Sequence, residues 1–331
     1  MLQRLVNYLL DYNKKRVISL NGGWKMSILK RFKYLFITLI PICMLLFYYQ
    51  FYVKEPTLQA KAAILMEAQS GKILYKKNDN IPLAPASMSK MMTEYIVLER
   101  IKNGSLNWND IVIISQNAVN SEGAKIDVKV GEGLTVLDLF HAMVISSANN
   151  AAVALAEHIA KTERDFAKIM NDKAKQLKLS THTNFVNATG LANEQNEESK
   201  MTALDVAKLA QKLLEHYPDV LEVTKLTSYE LNYNGVILKT TNKMLYYGNT
   251  KLYFQGIDGL KTGFTDEAGY CFTGTAKKDG KRMITVVMGT GDNVERFTET
   301  KKLLAYGFQE FALYIPFWEE IKSSFENIFK N

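Results

Sequence analysis

Cysteine and histidine are scarce in this chain. Its 331 residues include two cysteines and four histidines. Cys43 lies in an apolar run and Cys271 in a strand-like run, so they indicate neither a disulfide framework nor a metal site, and Cys271 is interpreted as core filler. None of the four histidines lies in a nucleophile elbow or an H-E-x-x-H motif; they are His141, His158, His182 and His216. The sequence therefore predicts no metal, no cofactor and no Ser-His-Asp triad.

Net charge is absent from most of the chain. The formal charge of +7 is carried by residues 1–33, which contain eight basic residues and one acid. The rest of the chain is formally neutral, which argues against nucleic-acid binding. Hydrophobic residues make up 47% of the chain, a fraction that excludes a disordered or fibrous class.

A long uncharged run follows the basic leader. Residues 34–53 are about as long as needed to cross a hydrocarbon core of ~30 Å, and Lys30, Arg31 and Lys33 precede them. The positive-inside rule then keeps the leader in the cytoplasm and places the rest of the chain outside the membrane. We interpret residues 34–53 as a retained membrane anchor. Cleavage near Ala60-Lys61-Ala62 is the alternative and would give a secreted protein.

The chain is predicted to contain five parts. They are a basic leader (1–33), the anchor or signal segment (34–53), a linker (54–61), a catalytic domain (62–312) and a short amphipathic helix (313–331). We interpret Met26, which opens a shorter leader, as the true start. The aromatic face of the last segment suits either a membrane interface or packing on the catalytic domain.

Strand patterns lie at both ends of the exported part and helical patterns lie between them. A hairpin is predicted from residues 62–75, with further strands at 259–265, 270–276 and 283–288. Helices are predicted at 88–98, 135–160 with a break at 146–150, 166–177, 203–214 and 294–311. The Asp279-Gly280 pair predicts a hairpin between the last two strands. This order predicts an α+β domain with a mainly helical middle lobe.

Three short motifs carry the predicted chemistry. They are Ser87-Met88-Ser89-Lys90, Ser147-Ala148-Asn149 and Lys261-Thr262-Gly263. Each is common by chance, but together and in this order they match the set found in β-lactamases and penicillin-binding proteins.

The residue types in these motifs suit acyl transfer to a serine. S-x-x-K on a helix places a nucleophile, Ser87, one turn from a base, Lys90, whose pKa burial would lower. Ser147 is predicted to relay a proton and Asn149 to orient a substrate amide. Lys261 supplies positive charge, Thr262 a hydroxyl donor, and Gly263 room for a substrate backbone.

Longer stretches resemble a known family. APASMSKMMTEY, SSANNAAVALAE, TNFVNATGL and DGLKTGFTDEAGYCFTGTA are similar to the serine D-Ala-D-Ala carboxypeptidases, which are low-molecular-mass penicillin-binding proteins. The resemblance runs from about residue 62 to residue 311. It implies a five-stranded antiparallel sheet flanked by helices, a helical lobe, and an active site at their junction.

The resemblance also implies a reaction and its ligands. The terminal D-Ala of a peptidoglycan stem pentapeptide would be removed through a Ser87 acyl-enzyme, and β-lactams would acylate the same serine. The backbone N–H groups of Ser87 and Phe264 would form the oxyanion hole. Arg296 resembles an arginine that lies near the substrate carboxylate, the alternative being a surface charge on the last helix.

Three other functions share some of these sequence features. A DD-endopeptidase of the same family differs in how it treats the group beyond the scissile bond, which the sequence does not decide. A class A-like β-lactamase would need a Glu-x-Glu-Leu-Asn loop, but Ser228 stands where the first glutamate would be, two residues before Glu230. A non-catalytic wall scaffold is disfavoured by the intact Ser87, Lys90 and Lys261.

Overall fold

The computed structural model describes residues 32–33, 35–43, 55–249 and 251–309. The chain divides into two units, Met1–Lys54 and Glu55–Asn331. Within the first unit, residues 35–43 are helical, and a search of the described residues finds no helix with the length and apolar character of a membrane span. The Met26 start and the predicted helix at 313–331 lie outside the described residues, as does most of the predicted anchor at 34–53.

The second unit is built on a five-stranded antiparallel sheet of order β2-β1-β9-β8-β7. Two small two-stranded sheets, β3-β4 and β5-β6, are separate from it. The strands are β1 Ala62–Glu67, β2 Ile73–Lys77, β3 Ile111–Ile113, β4 Gly133–Thr135, β5 Ser228–Glu230, β6 Ile237–Lys239, β7 Ile257–Thr265, β8 Gly269–Lys278 and β9 Lys281–Thr290. Strands from both ends of the chain therefore meet in one sheet, as the sequence predicts.

Eight helices are found in the described part of this unit. They are α1 Lys90–Lys102, α2 Gln116–Asn120, α3 Val136–Ile145, α4 Asn149–Ala160, α5 Glu163–Gln176, α6 Ala203–His216, α7 Val220–Thr224 and α8 Glu295–Gly307. Thr135, Thr162 and Thr202 cap α3, α5 and α6, each side chain accepting the N–H of an aspartate three residues later. These aspartates also complement the positive end of the helix dipole.

Both faces of the sheet are covered. Neighbouring strand residues point to opposite faces, so Ile64 of β1 joins the core on the side of the helical lobe while Leu65 joins the core beneath α8. Phe297 and Leu304 of α8 fill the second core. Because helices pack on both faces of the sheet, β8 and β9 are buried along most of their length. Their sequences are accordingly long runs of apolar residues and threonines rather than alternating apolar and polar residues.

Most predicted elements are confirmed, including the β1-β2 hairpin, the Asp279-Gly280 turn between β8 and β9, and the helix break before Asn149. The helix predicted at 88–98 differs at its start. Residues Ala86–Ser89 form a 3-10 turn, and α1 begins only at Lys90. Every residue of α1 from Lys90 to Leu98 is buried, because this helix runs through the middle of the unit rather than over its surface.

Candidate active site

The serine motif lies in a tight turn pressed against the edge of the sheet. Ser87 belongs to the 3-10 turn Ala86–Ser89, and the Met88 N–H donates to the Pro85 carbonyl at 3.1 Å. Strand β7 crosses this turn at Gly263, where a Cβ atom would lie 2.7 Å from the Pro85 oxygen. Only glycine allows this approach, so the first and third motifs are held side by side at the sheet edge.

Lys90 is placed to act on Ser87. Its Nζ lies 2.8 Å from Ser87 Oγ, 2.6 Å from Asn149 Oδ1 and 3.0 Å from the Thr189 carbonyl. These three acceptors use all the donors of an ammonium group. Lys90 is fully buried; burial, followed by the charge of Lys261, lowers its pKa well below the ordinary lysine value. A buried amine that loses its proton easily is the required base for a serine nucleophile.

The second motif contacts the third directly, on the side of the site opposite Lys90. Ser147 sits in the break between α3 and α4 with φ of +63°, and Lys261 Nζ donates to Ser147 Oγ at 2.7 Å. Lys261 is 1% exposed, and burial is the main cause that lowers its pKa, to about 8. The two lysines thus bracket the site, one on the nucleophile and one on the hydroxyl predicted to relay a proton.

Asn149 uses both ends of its amide on protein groups. Its Oδ1 accepts from Lys90, and its Nδ2 donates to the Glu122 carbonyl at 2.6 Å. Its side chain therefore positions the base and holds the loop before α4. The predicted contact with a substrate amide stays a prediction.

Strand β7 forms one wall of the site and is an edge strand of the sheet. Thr262 Oγ1 shares a hydrogen bond of 2.7 Å with Thr241 Oγ1, so the loop after β6 supports this wall. Phe264 is 45% exposed and stacks on Tyr270 of β8, with ring centroids 4.2 Å apart. A free strand edge beside a nucleophile suits an extended peptide, which can lie along it.

Residues 49–292 match the sequence profile of the D-alanyl-D-alanine carboxypeptidase family, peptidase family S11. The chain belongs to this family. D-alanyl-D-alanine carboxypeptidase DacF of Bacillus subtilis is 39% identical over 76% of this chain and 63% of its own length. DacC of Escherichia coli is 33% identical over 80% and 65%. The chain thus spans slightly less than two thirds of the length of these relatives.

Solved structures of the family share the fold. Penicillin-binding protein D2 of Listeria monocytogenes, crystallised in the ampicillin-bound form, is 37% identical with a TM-score of 0.67. The alignment covers 77% of this chain and 100% of that one. The five-stranded antiparallel sheet with flanking helices, which the resemblance implied, is confirmed.

In this member of the carboxypeptidase family, Arg296 lies behind β7. Its Nη1 donates to the carbonyls of Gly263 at 3.0 Å and Cys271 at 3.4 Å, and its guanidinium lies 5.4 Å from the ring centroid of Tyr270. The alternative interpretation as a surface charge is wrong, because Arg296 is 7% exposed. Its contacts fix the strand that carries Lys261, Thr262 and Gly263.

Sequence reasoning missed two supports of the site. The Thr189 carbonyl binds Lys90, and Thr241 binds Thr262. The loop of Thr189 is shaped by Asn187, whose Oδ1 accepts from the N–H groups of Thr189 and Gly190. Asn-Ala-Thr-Gly is a turn-forming sequence within a stretch that resembles the family, but no local pattern assigns a backbone carbonyl to a distant lysine.

Gly190→Ala should disable the site. Gly190 has φ of +80°, and a Cβ there would lie 2.0 Å from the Ala86 carbonyl oxygen, so the loop must move away from the serine turn. We expect a loss of about 2 kcal/mol or more in the free energy of unfolding, together with slower acylation of Ser87. Thermal denaturation and the rate of labelled-penicillin binding measure the two effects.

Gly104→Ala is the matched control. Gly104 has φ of +75°, yet no atom lies within 4 Å of its would-be Cβ. Gly104→Ala should lower the free energy of unfolding only by the ~1 kcal/mol that a non-glycine residue costs at a positive φ. The rate of Ser87 acylation should stay unchanged. Equal losses of stability and of acylation rate in Gly104→Ala and Gly190→Ala would contradict the role assigned to the close approach of Gly190 to the serine turn.

Proposed function

We propose that this protein is a serine-type D-Ala-D-Ala carboxypeptidase that removes the terminal D-Ala from peptidoglycan stem pentapeptides. The observation that carries the proposal is the 2.8 Å contact between Ser87 Oγ and the fully buried Lys90 amine. Relatives 39% and 33% identical bear the name of this activity. The Ser147-Lys261 pair on the opposite side of the cleft completes the set of groups that the reaction needs.

Acylation begins with proton transfer from Ser87 to Lys90. The neutral amine accepts the hydroxyl proton while Ser87 Oγ attacks the carbonyl carbon of the penultimate D-Ala. Burial lowers the pKa of Lys90, which makes the neutral amine available at lower pH than for an exposed lysine, so activity should rise as the pH increases through the pKa of Lys90. The backbone N–H groups of Ser87 and Phe264 are our proposed donors to the developing oxyanion.

Departure of the terminal D-Ala requires a proton on its amine. Ser147 is our proposed donor, because its hydroxyl already takes part in a hydrogen bond with Lys261 and the ammonium can replace the proton that it gives up. Before hydrolysis, Lys90 releases to solvent the proton that it took from Ser87, and Lys261 regains one from solvent. The neutral Lys90 amine then accepts a proton from the attacking water and returns it to Ser87 Oγ as the acyl bond breaks. No metal or cofactor enters either half of the reaction.

The terminal carboxylate of the peptide is proposed to bind beside β7. Lys261 supplies the positive charge and Thr262 a hydroxyl donor. Arg296 contributes through the strand that it braces at Gly263. This division differs from a direct contact between Arg296 and the carboxylate, which the resemblance implied and which stays a prediction.

β-Lactams are proposed as inhibitors that acylate Ser87. A strained amide next to a carboxylate presents the same groups to Ser87 and to the Lys261 side of the cleft as the D-Ala-D-Ala dipeptide. The Listeria relative was crystallised with ampicillin and with cefotaxime, which supports the proposal.

We also propose that the catalytic unit acts outside the membrane, with residues 34–53 as its anchor. The support is in the sequence, where a basic leader precedes an uncharged run of membrane-spanning length. A stem peptide is an extracytoplasmic substrate, so this orientation agrees with the proposed reaction. Protease accessibility of residues after 55 in intact spheroplasts tests it.

The direct test uses the purified full-length chain in detergent with a stem pentapeptide. Release of one D-Ala per peptide is the expected result. A cross-linked peptide dimer in a parallel reaction distinguishes the endopeptidase alternative, and a penicillin substrate distinguishes a β-lactamase by rapid turnover. Penicillin binding without D-Ala release would overturn the proposal in favour of a scaffold.

A further inference from the structure

Glu94 is a fully buried acid that the proposed mechanism does not use. It lies one helical turn after Lys90 on α1, on the face that carries the base. Among the described residues neither of its carboxyl oxygens has a hydrogen-bond partner. A buried carboxyl group without a donor costs free energy, so its presence beside two buried lysines calls for an electrostatic explanation.

Two buried ammonium groups form a cluster next to the part of α1 that carries Glu94. The Lys90 amine donates to Asn149 Oδ1 and the Lys261 amine donates to Ser147 Oγ, only two residues away in the chain. Lys261 of β7 acts on Glu94 most strongly among charged groups, followed by Lys90 of its own helix. In return, Glu94 is the charge that acts most strongly on Lys261, ahead of Arg296 of α8. Glu163 of α5 faces Lys90 as well but acts on it less than Glu94 does.

We propose that Glu94 is the buried counter-anion of Lys261 and acts as a positioning residue that keeps the carboxylate-binding side of the cleft positively charged. The use of that charge rests on the proposed function; the pairing itself does not. Lys261 makes no ion pair within 4 Å in the described part of the chain, so Glu94 stabilises its charge through the low-dielectric interior rather than by contact.

Burial favours the neutral form of both groups: it raises the pKa of Glu94 to about 8 and lowers the pKa of Lys261 to about 8. The charge of each group opposes this effect of burial on the other group. As the pH rises through this range, Glu94 ionises, and its negative charge delays the loss of the Lys261 proton. The cleft therefore keeps its positive charge at a higher pH than an isolated buried lysine would allow.

The pairing is tested directly by NMR titration of Lys261 in full-length protein that carries lysine labelled with ¹³C at the ε position. The Lys261 signal is assigned by its loss in Lys261→Arg. In Glu94→Gln the Lys261 titration should move about one pH unit lower, because the counter-anion is gone. Glu94→Asp keeps the anion and should recover most of the shift. An unchanged Lys261 titration in Glu94→Gln would overturn the inference.

Acylation kinetics report the functional consequence. We expect the alkaline limb of the rate of labelled-penicillin binding to move to lower pH in Glu94→Gln, with about a tenfold loss at pH 9 and little change at pH 7. If the wild type is not acylated at any pH, the proposed function fails while the Lys261 titration still decides the role of Glu94. An alkaline limb that stays in place in Glu94→Gln contradicts the inference.

Stability provides a third readout and a matched control. Glu94 ionises near pH 4.5 when unfolded but near pH 8 when folded, so between these values the folded state holds an extra proton and loses stability as the pH rises. Glu94→Gln lacks this loss, and its unfolding temperature should exceed that of the wild type by a margin that grows from pH 5 to pH 8. Glu299→Gln on α8, remote from the cleft, removes another buried acid, which is paired with Lys302, and should move neither the Lys261 titration nor the alkaline limb.

Discussion

Ser87→Ala should abolish acylation and D-Ala release while leaving the protein folded. Among the described residues, Ser87 Oγ is the only hydroxyl oxygen that accepts a hydrogen bond from Lys90; the other two acceptors are amide and carbonyl oxygens, which are poor nucleophiles. Loss of a catalytic nucleophile costs at least about 10⁴-fold in rate. Mass spectrometry after incubation with penicillin should show an adduct on the wild type and none on the variant.

Ser89→Ala is the matched control for Ser87→Ala. Ser89 lies in the same turn, is fully buried, and its Oγ has no hydrogen-bond partner among the described residues. Its removal should leave the penicillin adduct and the rate of D-Ala release close to those of the wild type. A penicillin adduct that persists in Ser87→Ala, or disappears in Ser89→Ala, would show that the nucleophile is wrongly assigned.

Lys90→Arg should reduce the acylation rate by about 10² to 10⁴-fold. An arginine keeps a positive charge near Ser87, but it cannot be deprotonated in a protein and so cannot accept the serine proton. The variant separates the role of Lys90 as a base from its role as a cation. The pH profile should also lose its acidic limb, because that limb reports the loss of the Lys90 proton, and stopped-flow measurement of penicillin binding from pH 5 to pH 9 tests both effects.

Lys173→Arg is the control for the same substitution elsewhere. Lys173 is 12% exposed and forms an ion pair of 2.8 Å with Glu99, away from the three motifs. Its replacement should leave the acylation rate and the pH profile unchanged. An acidic limb that survives in Lys90→Arg would mean that another group titrates there, and the assignment of the base would then be wrong.

Local sequence signals were sufficient for most of the fold. The β1-β2 hairpin, the Asp279-Gly280 turn and the long helices depend on residue spacing and turn chemistry that act within a few positions. The capping threonines of α3, α5 and α6 belong to the same class, because each contacts a backbone N–H only three residues away. Such contacts are encoded in the segment that makes them.

The proposed nucleophile and base were also identified from the sequence, since S-x-x-K requires only one helical turn to join a serine and a lysine. The sequence did not predict the 3-10 geometry of that turn. It arises where Gly263 and Gly190 approach the turn from two other parts of the chain. The local pattern permits a regular helix at Ser87, and close packing of three segments selects the tighter turn.

By itself, the sequence of this protein determined the strands of the main sheet, the longer helices, the order of its three motifs and the residue types that carry the proposed chemistry. The tertiary structure decided which distant groups control that chemistry: the Thr189 carbonyl on Lys90, Thr241 on Thr262, Arg296 behind β7, and Glu94 within reach of Lys261. The physical reason is that a lysine pKa depends on burial and on charges within a few ångströms. Those surroundings exist only after segments far apart in the chain have packed together.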